Sequence, residues 1–331
     1  MKRKTVLSRI IGTLALPVAM YLIMMVLCYS NGKMYFGTWN MWRTLIVDIA
    51  LSITCAMGIG LQFKCGRFDF SGGAIMLLTS IVAGNIALKM DNSIAAMVVI
   101  CIAGCVILSV LVAIFYVFGR VPIVITTIGF AMLYESVTCL IYGSRGINIV
   151  SNMTLRIFST YPYALIPLAL AIAIYAFYSY CTVSGKQSQL LANNQQAAVN
   201  IGIKEKKNVI ISYVFSGLIF GCATIIYMAN GMHRAATTSM ATVGELFSNI
   251  LPVFIGLIVG VFCGDTIGTI VGSLTLCLMS YGLKAVFSDE LGAAISTICM
   301  GVFILVINVI GSQGGNLVKL LRRKPKEEQG V

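Results

Sequence analysis

Few side chains in this sequence are placed to do chemistry. Asp48, Asp69, Glu135 and Asp265 are the acidic groups that come near long apolar runs, and all four lie toward the ends of those runs. A carboxylate at the centre of a membrane helix costs about 2.5–3.5 kcal/mol, so such groups face protein or a water-filled path, and ion-coupled chemistry needs several of them deep in the spans. That pattern is missing here. No Ser/His/Asp set, no pair of carboxylates within one apolar run and no metal-ligand cluster occurs. Gly-Lys stands at 32–33 and at 185–186, without the spacing or the following Ser/Thr of a phosphate-binding loop. The chain is therefore expected to hydrolyse no nucleotide, to hold no cofactor and to be no enzyme. His233, beside Arg234 in a polar segment, reads as solvated. The 11 Cys are scattered singly with no CxxC pair and read as small apolar packing residues.

Composition says what positions these groups. Of 331 residues, 59% are hydrophobic and 10% charged, and the mean hydropathy is +0.95. A soluble globule cannot be built that way, and an all-α polytopic membrane protein can. A bilayer core about 30 Å thick takes about 20 apolar helical residues to cross. Ten such runs are found, near 10–29, 44–63, 72–88, 94–118, 122–142, 163–181, 208–229, 246–262, 266–283 and 293–311. The first, after Met1-Lys2-Arg3-Lys4, is too long for a signal core and has no small-residue cleavage site, so it reads as an uncleaved span.

The net charge of +12 is a matter of topology rather than of nucleic acid. With the amino terminus inside, 16 of the 23 Lys and Arg fall on the inner side, including Lys64, Arg67, Arg120, Lys186, Lys204, Lys206, Lys207 and the basic tail within 312–331; 7 fall outside. This bias predicts both termini in the cytoplasm, and the tail is suited to anionic headgroups of the lipid bilayer.

Three segments stand out. Ala192 to Ile203 is polar and helix-forming: Asn193 or Asn194 can cap, Gln195, Gln196, Ala197 and Ala198 propagate, and Gly202 stops. A small, Ala-faced helix just outside the membrane has the shape of a docking element. Between the second and third spans, Gly66 to Gly73 mixes three Gly with Arg67, Asp69 and Ser71, which means tight turns and close backbone approach. Asp69 there caps the third span, pairs with Arg67 or lines a path. In the fifth span, opened by Pro122, Thr126 and Thr127 are expected to bond back to their own helix, and Glu135 to sit near the outer end, satisfied by water or a partner helix. Gly217 with Gly221, and Gly256, Gly260, Gly264 and Gly268 at period four, predict close helix packing. The segment 231–245 is too polar to span and too rich in Met and Ala for a free loop.

In these motifs the chain resembles the membrane permease subunit of ribose/xylose/galactose-type ABC importers, distantly related to branched-chain amino-acid permeases. The family's G-x-I-D-L-S-x-G segment is matched by Gly66 to Gly73. Its R-I-P-P-F-I-V-T-L-G segment is resembled by Arg120-Val121-Pro122 through Gly129, with Tyr134 in register. Its cytoplasmic coupling segment is matched by Asn193, Asn194, Ala197, Ala198, Gly202 and Ile203, and Y-V-x-S-G follows at Tyr213 to Gly217. Two departures stand: the acidic pair of the coupling segment is Gln195-Gln196 here, and the double glycines after the eighth span are thinned to single ones.

The resemblance implies a ten-helix subunit of the bacterial cytoplasmic membrane. It implies pairing with a second permease subunit, the same or paralogous, over ATPase subunits that hydrolyse the ATP, with an external solute-binding protein delivering a small polar solute, most simply a monosaccharide. A coupling helix within 187–203 would take the mechanical signal through Asn193, Asn194, Gln195, Gln196, Ala197, Ala198 and Gly202. Asp69, Ser71, Gly72, Thr127, Gly129 and Tyr134 would line or shape the path, and 231–245 would face the binding protein. An ion-coupled transporter, and an importer of a nucleoside or a branched-chain amino acid, are the alternatives.

Overall fold

The computed structural model describes residues 6–305 except 36, 288–290, 293, 300 and 303–304. Long helices dominate: α1 (Val6–Ser30), α2 (Trp39–Lys64), α3 (Gly72–Lys89), α4 (Ile94–Gly119), α5 (Ile123–Leu140), α6 (Leu165–Ala176), α7 (Val183–Asn193), α8 (Gln195–Asn200), α9 (Glu205–Gly231), α10 (Ala241–Cys263) and α11 (Asp265–Val286). Among the described residues eight of them are each long and apolar enough to cross a bilayer; α6 with the π turn Phe177–Cys181 is so together with α7, which follows across a bend of 71°, and the pair counted as one span makes nine. These nine coincide with the first nine expected spans. The eighth begins earlier than expected, at Ala241, because Glu135 caps it there as described below. The tenth expected span is described, as helix, at 294–299, 301–302 and 305, its remaining positions lie outside the described residues, and the tail 312–331 lies wholly outside them.

Burial divides the helices into two tiers. The spans α3 and α9 are 72% buried inside the chain, whereas α1 is 17% buried and α4 and α5 are each 28% buried. Helices that are apolar all round yet exposed have lipid or another subunit as their environment. The central helix is α9, and the glycines explain how closely it is approached. A Cβ on Gly217 would lie 2.8 Å from Val106 Cα, and one on Gly221 2.7 Å from Ile102 Cα, so α4 packs backbone to backbone along the expected small-residue face. The period-four run works differently from a single stripe. Gly256 and Gly260 on α10 oppose Gly268 on α11, whose added Cβ would meet Gly256 O at 2.2 Å, while Gly264, with φ +91°, is the turn between the helices.

At the end opposite α8, β1 (Ile147–Asn148) pairs antiparallel with β2 (His233–Arg234). This ribbon ties the 143–162 loop to the 231–245 segment. Arg234 stacks on the Tyr227 ring at 3.5 Å, donates to Tyr227 O and lies 3.7 Å from Glu245, so it belongs to the packing of that segment.

Candidate functional site

Thr182 ends the π turn and opens α7, accepting from Gly185 N–H at 3.0 Å while donating to Tyr178 O at 2.7 Å. The chain thus turns out of the span and runs to Asn193. Asn194 is extended, and its Oδ1 accepts from Ala197 N–H at 3.0 Å, capping α8. Gly202, at φ +93°, stops it where a side chain would be strained. Of the two candidate caps Asn194 is the one used, and the helix is shorter than the polar segment that encodes it.

The faces of α8 are unequal. Gln195, Gln196 and Ala197 are exposed, whereas Ala198 is 3% exposed and packs with Leu191 and Ile203. Of the adjacent alanines only Ala197 is available to a partner. Gln195 Nε2 donates to Glu205 Oε1 at 2.7 Å, fastening α8 to the start of α9. An acidic residue at 195 would repel Glu205, which gives the glutamine a physical reason. Val199 and Ile201 are exposed apolar residues beside it.

The Gly66 turn meets this unit. With φ +74° and no Cβ, Gly66 admits the Ala192 backbone, whose Cα would stand 3.3 Å from an added Cβ. The structure therefore brings together two segments 126 positions apart in sequence. Within the turn, Asp69 Oδ1 accepts from Ser71 N–H at 2.8 Å and from Ser71 Oγ at 2.6 Å, a local turn at the threshold of α3. Burial pushes the Asp69 carboxyl above its usual range, and the two bonds from Ser71 pull it the other way. Arg67 turns elsewhere, donating to Ser212 Oγ at 2.8 Å and reaching Asn208 Oδ1 at 3.5 Å.

The remaining path candidates are mostly internal. A Cβ on Gly72 would sit 2.5 Å from Phe220. Thr127 Oγ1 bonds Val124 O and reaches Phe68 O at 3.4 Å, joining α5 to the turn; Thr126 bonds back to Pro122 O as expected. Tyr134 donates to Leu108 O on α4 at 2.9 Å. Gly129 alone of the six faces open space, with nothing within 4 Å of an added Cβ. Glu135 is fully buried, and a partner helix satisfies one of its oxygens: Oε1 accepts from Thr242 N–H at 2.8 Å and from Thr242 Oγ1 at 2.6 Å, capping α10, while Oε2 has no partner among the described residues. Asp265 pairs with Lys64 at 2.9 Å, and Asp48 accepts from Asn230 at 2.9 Å.

Sequence reasoning missed the buried polar joint at the foot of α9. Its signal was there, because Asn208, Ser212 and Ser216 recur at period four in an otherwise apolar helix and all three are buried. Ser212 bonds Val209 O and Ser216 donates to Gly58 O on α2 at 3.1 Å.

Comparison with known proteins places the chain in a family. Residues 41–308 match the family described as the branched-chain amino acid transport system / permease component. The chain is 24% identical over 316 residues to the fructose import permease protein FruG of Bifidobacterium longum (strain NCC 2705), covering 89% of this chain and 90% of that one. With its apolar spans, it is a multi-pass protein of the bacterial plasma membrane, a transport permease and not an enzyme, and it belongs to the family of permease components of branched-chain amino acid transport systems.

Proposed function

We propose that this chain is the membrane-spanning permease subunit of an ATP-binding-cassette importer, working with a second permease subunit and with separate ATPase subunits that hydrolyse the ATP. Its cargo is a small polar solute, a monosaccharide, delivered by an external solute-binding protein. The observation that carries the reading is the α7–α8 unit, a helix pair that leaves the last turn of a span at 71° and presents Gln196, Ala197 and Val199 outward. Such an element has no role in crossing the bilayer, and it fits the groove of a soluble partner. The likeness to a fructose import permease supports the sugar. In this reading α8, Lys186 and the α2–α3 turn face the cytoplasm, as the charge bias requires.

The test is co-purification and uptake with an Ala197→Arg variant. A long cation on the exposed face should abolish recovery of the ATPase subunit and uptake while insertion and the unfolding midpoint stay at the parent level. Recovery of the ATPase at the parent level would sink the docking. Ala198→Arg is the contrast: its side chain enters the Leu191 and Ile203 cluster, so it unfolds α8 whether or not a partner binds. Uptake of a branched-chain amino acid, and not of a sugar, by the assembled complex would move the cargo to the family's other solute class.

A further inference from the structure

The α7–α8 unit has an apolar cluster of its own, Leu191, Ala198 and Ile203, separate from the clusters that hold the spans together. Apart from Leu191, the buried face of α7 is Ser184, Gly185 and Ser188. What seats the unit on the transmembrane body is therefore hydrogen bonding rather than apolar contact.

Those bonds converge on Asn208, in the first turn of α9 and 2% exposed. Its Nδ2 donates to Ser184 O at 2.8 Å and to Ser184 Oγ at 3.0 Å. Its Oδ1 accepts from Ser188 Oγ at 2.9 Å and from Arg67 at 3.5 Å. A carboxamide offers two donors and one two-lone-pair acceptor, so every capacity of the group is used. One side chain thus holds α7 by two residues and the α2–α3 turn by a third, while its own backbone belongs to α9. Beside it a cleft of about 370 Å³ separates α7 from the start of α9, so the other ties to α9 are the exposed Gln195–Glu205 bond and the connecting residues 201–204.

We propose that Asn208 is the joint through which displacement of the α7–α8 unit reaches α9 and the α2–α3 turn, a positioning residue for transport. The proposal rests on the reading that α8 docks on an ATPase subunit. Apolar surfaces and the contact of Ala192 on Gly66 can slide. Parting a buried hydrogen bond leaves desolvated groups unsatisfied, so elements joined in this way move together.

The experiment uses the full chain, freed of its natural cysteines, with Phe68→Cys as reporter. Phe68 is 45% exposed and stands between Arg67 and Asp69 in the turn. Maleimide labelling of the complex with its ATPase is compared without nucleotide and after trapping with ATP and orthovanadate. The parent should change its labelling rate several-fold on trapping. Asn208→Ala should keep less than a fifth of that change, with ATPase recovery and ATP hydrolysis within twofold of the parent. Ser188→Ala, which removes one of the bonds to Asn208 together with the contacts of Ser188 Oγ to Tyr178 OH and Ser184 O, and spares the Asn208–Ser184 pair, should keep about half. Full retention of the change in both variants overturns the proposal. So does a parent complex that binds ATPase but shows no response at position 68, and so does a loss in Asn208→Ala that merely follows lost ATPase while Ser188→Ala behaves as the parent. If the parent recovers no ATPase at all, it is the importer reading that fails.

Discussion

The Gln195 side chain donates a 2.7 Å hydrogen bond to Glu205 Oε1, and that bond closes the chain between α8 and α9 into a fastened loop. Gln195→Glu places two carboxylates together and removes the donor. The pair is exposed, so the cost is less than about 1 kcal/mol and local. Hydrogen exchange at 195–203 should speed up several-fold at an unchanged unfolding midpoint. Parent-level exchange would mean that the bond does not hold α8.

Glu135 is the acidic residue with the most to lose. It serves two donors of Thr242 at the start of α10, in a site closed to water. Glu135→Leu leaves both donors unsatisfied and should destabilise the purified chain by about 1–3 kcal/mol. Glu135→Gln keeps an acceptor in place and should cost less than half as much. Thermal unfolding in detergent measures both, and equal effects would contradict the cap.

Two glycines in spans should answer oppositely to alanine. At Gly221 the new methyl meets Ile102 Cα at 2.7 Å, and backbone cannot yield cheaply, so a loss of about 1–3 kcal/mol is expected. At Gly129 nothing lies within 4 Å, and the substitution should be neutral or stabilising by up to about 1 kcal/mol through helix propensity. Gly129→Trp then tests whether the open side lines the route of the solute. Uptake should fail while the unfolding midpoint holds, and normal uptake removes Gly129 from the path.

The spans were legible because bilayer thickness sets their length and apolar composition marks them, and the small-residue face of Gly217 and Gly221 followed from spacing alone. What spacing could not reveal was facing. Ala197 and Ala198 are equal in sequence, yet one is outward and the other packed, because α8 is less than two turns long and its rotation is set by the Asn194 cap and the Gln195 bond to Glu205. The joint at Asn208 depends on partners 20 and 24 positions earlier, Ser188 and Ser184, and on Arg67 across the turn. Only the 71° bend after α6 brings them together.

Asp69 is the residue for which stability and transport make separable claims. Its Oδ1 takes both bonds from Ser71, at 2.8 and 2.6 Å, and Arg67 is engaged with Ser212 and Asn208 instead. Burial raises its pKa, so folding penalises the charged form relative to the exposed chain. An amide oxygen accepts the same two bonds and carries no charge to bury. Asp69→Asn should therefore leave expression, unfolding midpoint and uptake near the parent level. Asp69→Ala leaves the Ser71 N–H and hydroxyl without their acceptor at the threshold of α3 and should cost about 0.5–2 kcal/mol, read as a lower midpoint and reduced expression. Loss of uptake in Asp69→Asn at a parent midpoint would reverse the assignment and give the charge, or the second acceptor oxygen toward Tyr213, a part in the path.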